Sequence, residues 1–180
     1  MVTIGISGKS GCGNSTVSRL VANRLGLRLV NYTFHTIADE RNIPFDDLCR
    51  MAEEDPSWDR FLDQRQVEMA SEGSCVLGSR LAVWLLRETA DLTVYLTAPL
   101  AVRAERIWTR EGGSLAQVLE RTKERDERDR LRYLRLYNID NNQYWFVDLL
   151  IDTESLPPEQ VADRIVQAAA PVIQRNRDNA

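Results

Sequence analysis

The stretch Gly8-Lys9-Ser10-Gly11-Cys12-Gly13-Asn14-Ser15 follows a β-prone apolar run, Val2 to Ser7, and leads directly into a helical pattern. A glycine-rich loop between a first strand and a first helix lets consecutive backbone N–H groups converge on an anion. The start of the helix adds its positive end. The segment fits G-x-x-x-x-G-K-[ST] except that Asn14 stands where lysine belongs. Gly8, Lys9, Ser10, Gly11, Cys12, Gly13, Asn14, Ser15 and Thr16 are therefore candidate ATP- and phosphate-binding residues, and the Ser15 hydroxyl is a candidate ligand for Mg2+. Asparagine offers only a neutral donor in place of the ammonium that bridges the outer phosphates in such loops. Lys9, from the same loop, has the reach to replace that ammonium and is the candidate catalytic cation. The dinucleotide spacing G-x-G-x-x-G does not fit these glycines. A plain tight turn, or another phosphate ligand, is compatible with the loop composition alone.

After the loop, Val17, Leu20, Val21 and Leu25 recur at helical spacing and stop at Gly26, which suits a helix C-terminus. Further short strands are predicted at residues 28–31, 75–77, 92–96 and 149–151. Between them lie helix-length segments, among them 99–110 and 158–172, with Pro56 expected in a first helical turn. Short apolar strands alternating with helices predict an α/β fold, a parallel sheet covered on both faces. A length of 180 residues predicts one domain. With 43% apolar and 28% charged residues the composition excludes disordered and fibrous chains. No apolar run approaches the ~20 residues of a membrane span, and Met1 leads straight into Val2-Thr3-Ile4 without a charged-then-apolar leader, so no membrane association and a cytoplasmic location are expected. Cys12, Cys49 and Cys75 with the single His35 assemble neither a disulfide framework nor a zinc site. A net charge of −4 argues against general nucleic-acid binding.

Arginine is dense from Arg103 to Arg135, with Glu and Asp interleaved. A solvated helix with pairs at i,i+4 would show the same composition. The order is more specific: Lys123-Glu124-Arg125-Asp126-Glu127-Arg128-Asp129-Arg130-Leu131-Arg132 closely resembles the K-E-R-D-x-R-D-R-x-R segment of the cytidylate (CMP) kinases, members of the nucleoside monophosphate kinase superfamily. That resemblance implies that Arg125 and Arg132 grip phosphate, that Arg128 belongs to a lid, and that Asp129 faces the acceptor ribose. Guanidinium groups suit the task, because phosphoryl transfer spreads charge over several oxygens and each group is a fixed bidentate donor.

Other stretches resemble the shorter, archaeal-type branch of the family. Ala52-Glu53-Glu54-Asp55-Pro56 with Asp59, Asp63, Arg65 and Gln66 looks like its monophosphate-binding helices, and Arg80-Leu81-Ala82 with Trp84 looks like its G-R-L-A-G-W segment. Arg80 follows the third strand at the carboxyl edge of the sheet, where ligands of α/β proteins collect, and the corresponding arginine of the family binds the acceptor phosphate. Asp63 and Gln66, three apart, share a helix face that reads a base or ribose edge or equally faces solvent. Tyr133 and Tyr137 read as packing residues and His35 as structural. Two further positions depart from the family. The segment Asn31 to Ile37 offers no arginine where the family places one on the acceptor phosphate, and Gly78-Ser79-Arg80 lacks the acidic residue of E-G-R or D-G-R.

The resemblance implies a three-layer P-loop NMP-kinase fold around a five-stranded parallel sheet of order 2-3-1-4-5. The expected core is 1–31, 74–107 and 133–180, with a monophosphate-binding segment at 32–72 and a lid at 108–132. It also implies transfer of the ATP γ-phosphate to CMP or dCMP by a monomer, with Mg2+ and with nucleotides as its partners. A nucleotide-binding pseudokinase and a P-loop kinase for another small acceptor are the competing expectations.

Overall fold

The computed structural model describes residues 1–178. Five strands form one sheet: β1 (Thr3–Gly8), β2 (Arg28–Val30), β3 (Cys75–Gly78), β4 (Leu92–Thr97) and β5 (Leu149–Asp152). Their order is β2-β3-β1-β4-β5 and every pairing is parallel, as the sequence predicts. All six residues of β1 are buried, because a strand between two parallel neighbours and under helices on both faces has no wet side. The chain moves from β1 toward β3 and β2 on one side and toward β4 and β5 on the other. The loop after β1 therefore lies at the point where the strand order reverses, where open α/β sheets leave a crevice.

The helices are α1 (Asn14–Leu25), α2 (Phe34–Arg41), α3 (Phe45–Glu54), α4 (Ser57–Ser71), α5 (Ala82–Leu85), α6 (Leu100–Glu111), α7 (Leu115–Tyr137) and α8 (Pro158–Asp178). On one face of the sheet Val17 and Val21 of α1 and Val161 and Ile165 of α8 pack against Ile4, Ile6 and Val94. On the other face Ala70 of α4, Ala82 of α5 and Leu86 pack against Val30, Cys75 and Leu77. Two smaller clusters stand apart. Tyr32, Ile37, Ala38 and Leu48 join α2 and α3, with Trp58 and Leu62 of α4 against them, and Ala104, Ile107 and Val118 join α6 to α7.

Several boundaries differ from the sequence reading. Pro56 is the N-cap of α4 rather than a first-turn residue. The last helix runs through Pro171 to Asp178 instead of stopping at 172, since the buried stripe from Val161 to Ala169 anchors it before the proline and Ile173 packs after it. Helix α7 runs through residue 132 without a break to Tyr137 and is capped by Asn138, left-handed with φ 55°.

Candidate active site

The loop between β1 and α1 is held in shape from behind. Gly11 and Gly13 have φ of 84° and 89°, the left-handed region open to glycine. A Cβ on Gly11 would lie 2.6 Å from the Arg103 carbonyl oxygen. Three successive carbonyls of the loop are tied down from outside it. Arg103 Nη1 donates to Ser10 O at 3.1 Å, Arg106 Nη1 to Gly11 O at 3.3 Å, and Thr153 Oγ1 to Cys12 O at 3.3 Å. Because the trans peptide sets C=O and N–H on opposite sides, outward carbonyls at Ser10 and Cys12 turn the N–H groups of Gly11 and Gly13 toward the hollow of the loop. Helix α1 then begins with no side-chain cap and no acidic residue in its first turn, which leaves its positive end open to an anion.

The Asn14 amide, at the lysine position of the motif, is engaged by neighbours beside the loop. Its Nδ2 donates to the Ser79 carbonyl at 3.2 Å, and Ser18 Oγ donates to its Oδ1 at 3.0 Å. Gly78 completes the arrangement: a Cβ there would lie 2.4 Å from Ser18 Oγ. The two positions that depart from the charged family pattern are thus neighbours, and a neutral hydrogen-bonded brace fills the space of both. Lys9 lines the cleft, but its Nζ donates to Asn142 Oδ1 at 2.7 Å and stands 3.9 Å from Asp126 Oδ2.

The loop opens into a cleft of about 940 Å³ at the carboxyl ends of the strands. Every loop residue from Gly8 to Thr16 lines it, Ser15 among them. Across from the loop stand Arg80, Arg125 and Arg132. Arg80 Nη1 donates to Asp129 Oδ2 at 2.5 Å and its Nη2 to Ser10 Oγ at 3.1 Å, so this arginine spans from the loop to α7. Arg132 lies 3.4 Å from the other oxygen of Asp129 and 3.6 Å from Asp59, and its Nε is buried without a partner. Asp129 is therefore the counter-ion of two arginines in this conformation rather than a group facing open space. Burial, with Arg80 nearby, pushes the Arg125 pKa down. Arg125 still keeps an exposed surface on α7, and an anionic ligand in the cleft would favour its charged form.

Asp59, Asp63 and Gln66 of α4 share the cleft wall. Burial raises the pKa of Asp63 to about 6 against an opposing hydrogen bond from the Tyr137 hydroxyl at 2.7 Å. Burial likewise raises that of Asp59, with Arg132 opposing. Gln66 Nε2 donates to the Tyr32 carbonyl at 2.8 Å, which leaves its buried Oε1 without a partner. Three candidates fall outside the lining: Arg65 is exposed and pairs with Glu68 at 3.3 Å, Arg128 is exposed on α7, and Asp129 is buried behind Arg80 and Arg132. His35, read from the sequence as structural, instead lines the cleft, stacked on Phe45 with ring centroids 3.7 Å apart. Tyr133, buried as the sequence suggests, also contributes to the cleft wall.

Arg106, which also holds the Gly11 carbonyl, and Arg110 of α6 line the cleft together with Leu156, Pro158 and Val161. None of these is singled out by the sequence. The only signal was the rise in arginine density from Arg103 onward, which does not distinguish an arginine in a cleft from one in solvent. The buried Arg103 is a further omission: it forms a two-bond pair with Asp126, at 3.2 and 2.6 Å, behind the loop.

Against solved structures, the fold is similar to shikimate kinase from Bacteroides thetaiotaomicron, with TM-score 0.61 and 15% identity, covering 96% of this chain and 98% of that one. A protein from Eubacterium ventriosum ATCC 27560 aligns with TM-score 0.68 and 16% identity over 93% and 98% of the two chains. At these identities the likeness speaks for the fold alone. Sequence relatives are much nearer. "Cytidylate kinase 2" of Borreliella afzelii (strain PKo) is 48% identical over 166 residues, 90% of this chain and 93% of the relative. "Cytidylate kinase" of Pyrococcus horikoshii is 40% identical over 170 residues, 93% and 88% of the two chains. Residues 3–155 match the cytidylate kinase-like family as a whole, and the chain belongs to that family.

Proposed function

We propose that the protein transfers the γ-phosphoryl group of ATP to CMP or dCMP, giving ADP and CDP or dCDP. The observation that carries this reading is a single cleft with two anion-binding walls, the Gly8–Thr16 loop on one side and Arg80, Arg125 and Arg132 on the other. ATP lies with its phosphates in the loop and its base toward Arg106, Arg110 and Leu156. The monophosphate enters between α4 and the strand ends, its phosphate on Arg80, its nucleoside against Asp59, Asp63 and Gln66.

The acceptor phosphate attacks in line, so the protein needs no covalent intermediate and works by positioning and charge compensation. Arg80 already donates to Ser10 of the donor loop, which supports binding of the two phosphates as neighbours. Arg125 and Arg132 supply fixed positive charge where it develops on the transferring group. When acceptor binds, its phosphate takes over the guanidinium groups that Asp129 holds, and Asp129 is released toward the sugar. Mg2+ would be held by the Ser15 hydroxyl and would neutralise charge on the donor phosphates. Ser15 supports that role by its place, in the first turn of α1 and lining the cleft beside the loop. The separate apolar clusters of α2–α4 and of α6–α7 support closure of these segments, about 32–72 and 108–132, over the cleft to exclude water.

The test is ADP formation by the purified protein with ATP, Mg2+ and each of CMP, dCMP, UMP, AMP and GMP, against a control without acceptor. Turnover confined to CMP and dCMP is expected. Silence with all five alongside measurable ATP binding contradicts the reading.

A further inference from the structure

Behind the phosphate loop, on the side away from the cleft, one carboxylate of α7 organises two loop residues in succession. Asp126 receives two hydrogen bonds from Arg103, from Nη1 at 3.2 Å and Nη2 at 2.6 Å. The same Nη1 of Arg103 donates to the Ser10 carbonyl at 3.1 Å, and Arg103 Nε donates to the Ala98 carbonyl at 3.1 Å. Lys9 Nζ lies 3.9 Å from Asp126 Oδ2, with its other contact on Asn142. Both charges of the central pair are withdrawn from water, the Arg103 side chain being 6% exposed and that of Asp126 15%.

Such a pair is a poor stabilising device, since replacing it with apolar residues of similar volume is often neutral or favourable. It does fix geometry. The planar guanidinium of Arg103 has its donors spoken for by Asp126, Ser10 and Ala98, so it holds one orientation. The Gly11 backbone packs directly against the Arg103 backbone, where a Cβ would have no room. Moving Asp126 therefore moves the Ser10 carbonyl and, through the peptide plane, the Gly11 N–H that faces the phosphate hollow.

We propose that Asp126 and Arg103 are positioning residues for the donor phosphates: they transmit the placement of α7 to the loop, so that the loop reaches its anion-binding shape only when α7 is seated. Neither touches the nucleotide. In a loop that lacks its usual lysine, anion binding leans on backbone N–H groups, and the support behind those groups decides how well they converge. The proposal rests on the loop being the donor site.

Four variants test it, Asp126→Asn, Asp126→Glu, Arg103→Lys and the double change Asp126→Asn with Arg103→Lys, with ADP binding by calorimetry, steady-state constants for ATP and CMP, and melting temperature measured for each. Asp126→Asn is expected to weaken ADP binding about tenfold, the worth of one hydrogen bond to a charged group. It should lower kcat/KM for ATP about 100-fold, the cost of roughly 1 Å of misplacement, while KM for CMP changes little. Asp126→Glu should recover part of the loss, and Asp126→Asn combined with Arg103→Lys should be no worse than the more damaging single change, because the two act as a unit. A merely structural pair predicts lowered melting temperature with equal losses toward ATP and CMP, and that result overturns the proposal. Unchanged ADP binding in a folded Asp126→Asn protein overturns it too. Wild-type protein that binds no ADP overturns the donor-site reading and this proposal with it.

Discussion

Asp63 lies 2.7 Å from the Tyr137 hydroxyl, largely shielded from water, and burial raises its pKa from the ordinary 3.8 to about 6. The sign of its effect on stability follows. Between about pH 4 and 6 the folded protein keeps a proton that the unfolded chain has already released. The contribution is full below the unfolded value and is lost as pH rises through about 6, so this residue makes stability fall across that window. Asp63→Asn should flatten that part of the curve of melting temperature against pH; a variant curve parallel to wild type would contradict the assignment. Asp63 also shows how far single residues are legible. Its spacing with Gln66 named a shared helix face but left open whether that face was wet, and the structure supplies the answer through Tyr137, which reaches it from a helix 74 positions away in the chain. His35 went the other way, because a lone histidine carries no pattern, and only the packing of α2 against α3 puts it beside Phe45 at the cleft.

The phosphate loop is the element most fully legible in the sequence. Glycine spacing, the preceding apolar strand and the following helical pattern act locally and agree with one another. What holds the loop was invisible, since Arg103, Arg106 and Thr153 meet its carbonyls across 93 to 141 positions of chain. The same limit explains the reading of α7. Its sequence marks Arg125, Arg128, Asp129 and Arg132 together, yet a continuous helix turns Arg128 to solvent and Asp126 toward the loop, a distinction that depends on where the helix docks. Gly11 is the element's tightest point, with φ 84° and the Arg103 carbonyl 2.6 Å from any added Cβ. Gly11→Ala should cost about 1–3 kcal/mol in backbone strain alone and weaken nucleotide binding more than acceptor binding. A variant as stable as wild type, with unchanged ATP affinity, would show that the loop is not braced as described.

For the molecule as a whole, strand order and parallel pairing were legible because alternating short apolar strands and helices leave few topologies, and the resemblance selected one. The unexpected feature is the distribution of charge. Asn14 stands at the lysine position of the loop motif, the acidic residue is missing before Arg80, and Asn14, Ser18 and Gly78 close the gap with neutral contacts. Positive charge is delivered to the cleft instead from three separate elements, by Arg80 after β3, Arg106 and Arg110 on α6, and Arg125 and Arg132 on α7. The proposed reading therefore takes the site as working with asparagine at this position, the surrounding arginines supplying the charge.

The direct test is CDP formation from ATP and CMP by wild type and by Asn14→Lys, compared as kcat and kcat/KM. The account predicts turnover by wild type and no gain, or a loss, in the variant, because the added ammonium displaces the brace to Ser79 and Ser18 and meets no carboxylate at Gly78. A rise of about 100-fold in kcat on restoring the lysine, the scale of one preorganised group at the transition state, would contradict it and show that the surrounding arginines do not supply the missing charge.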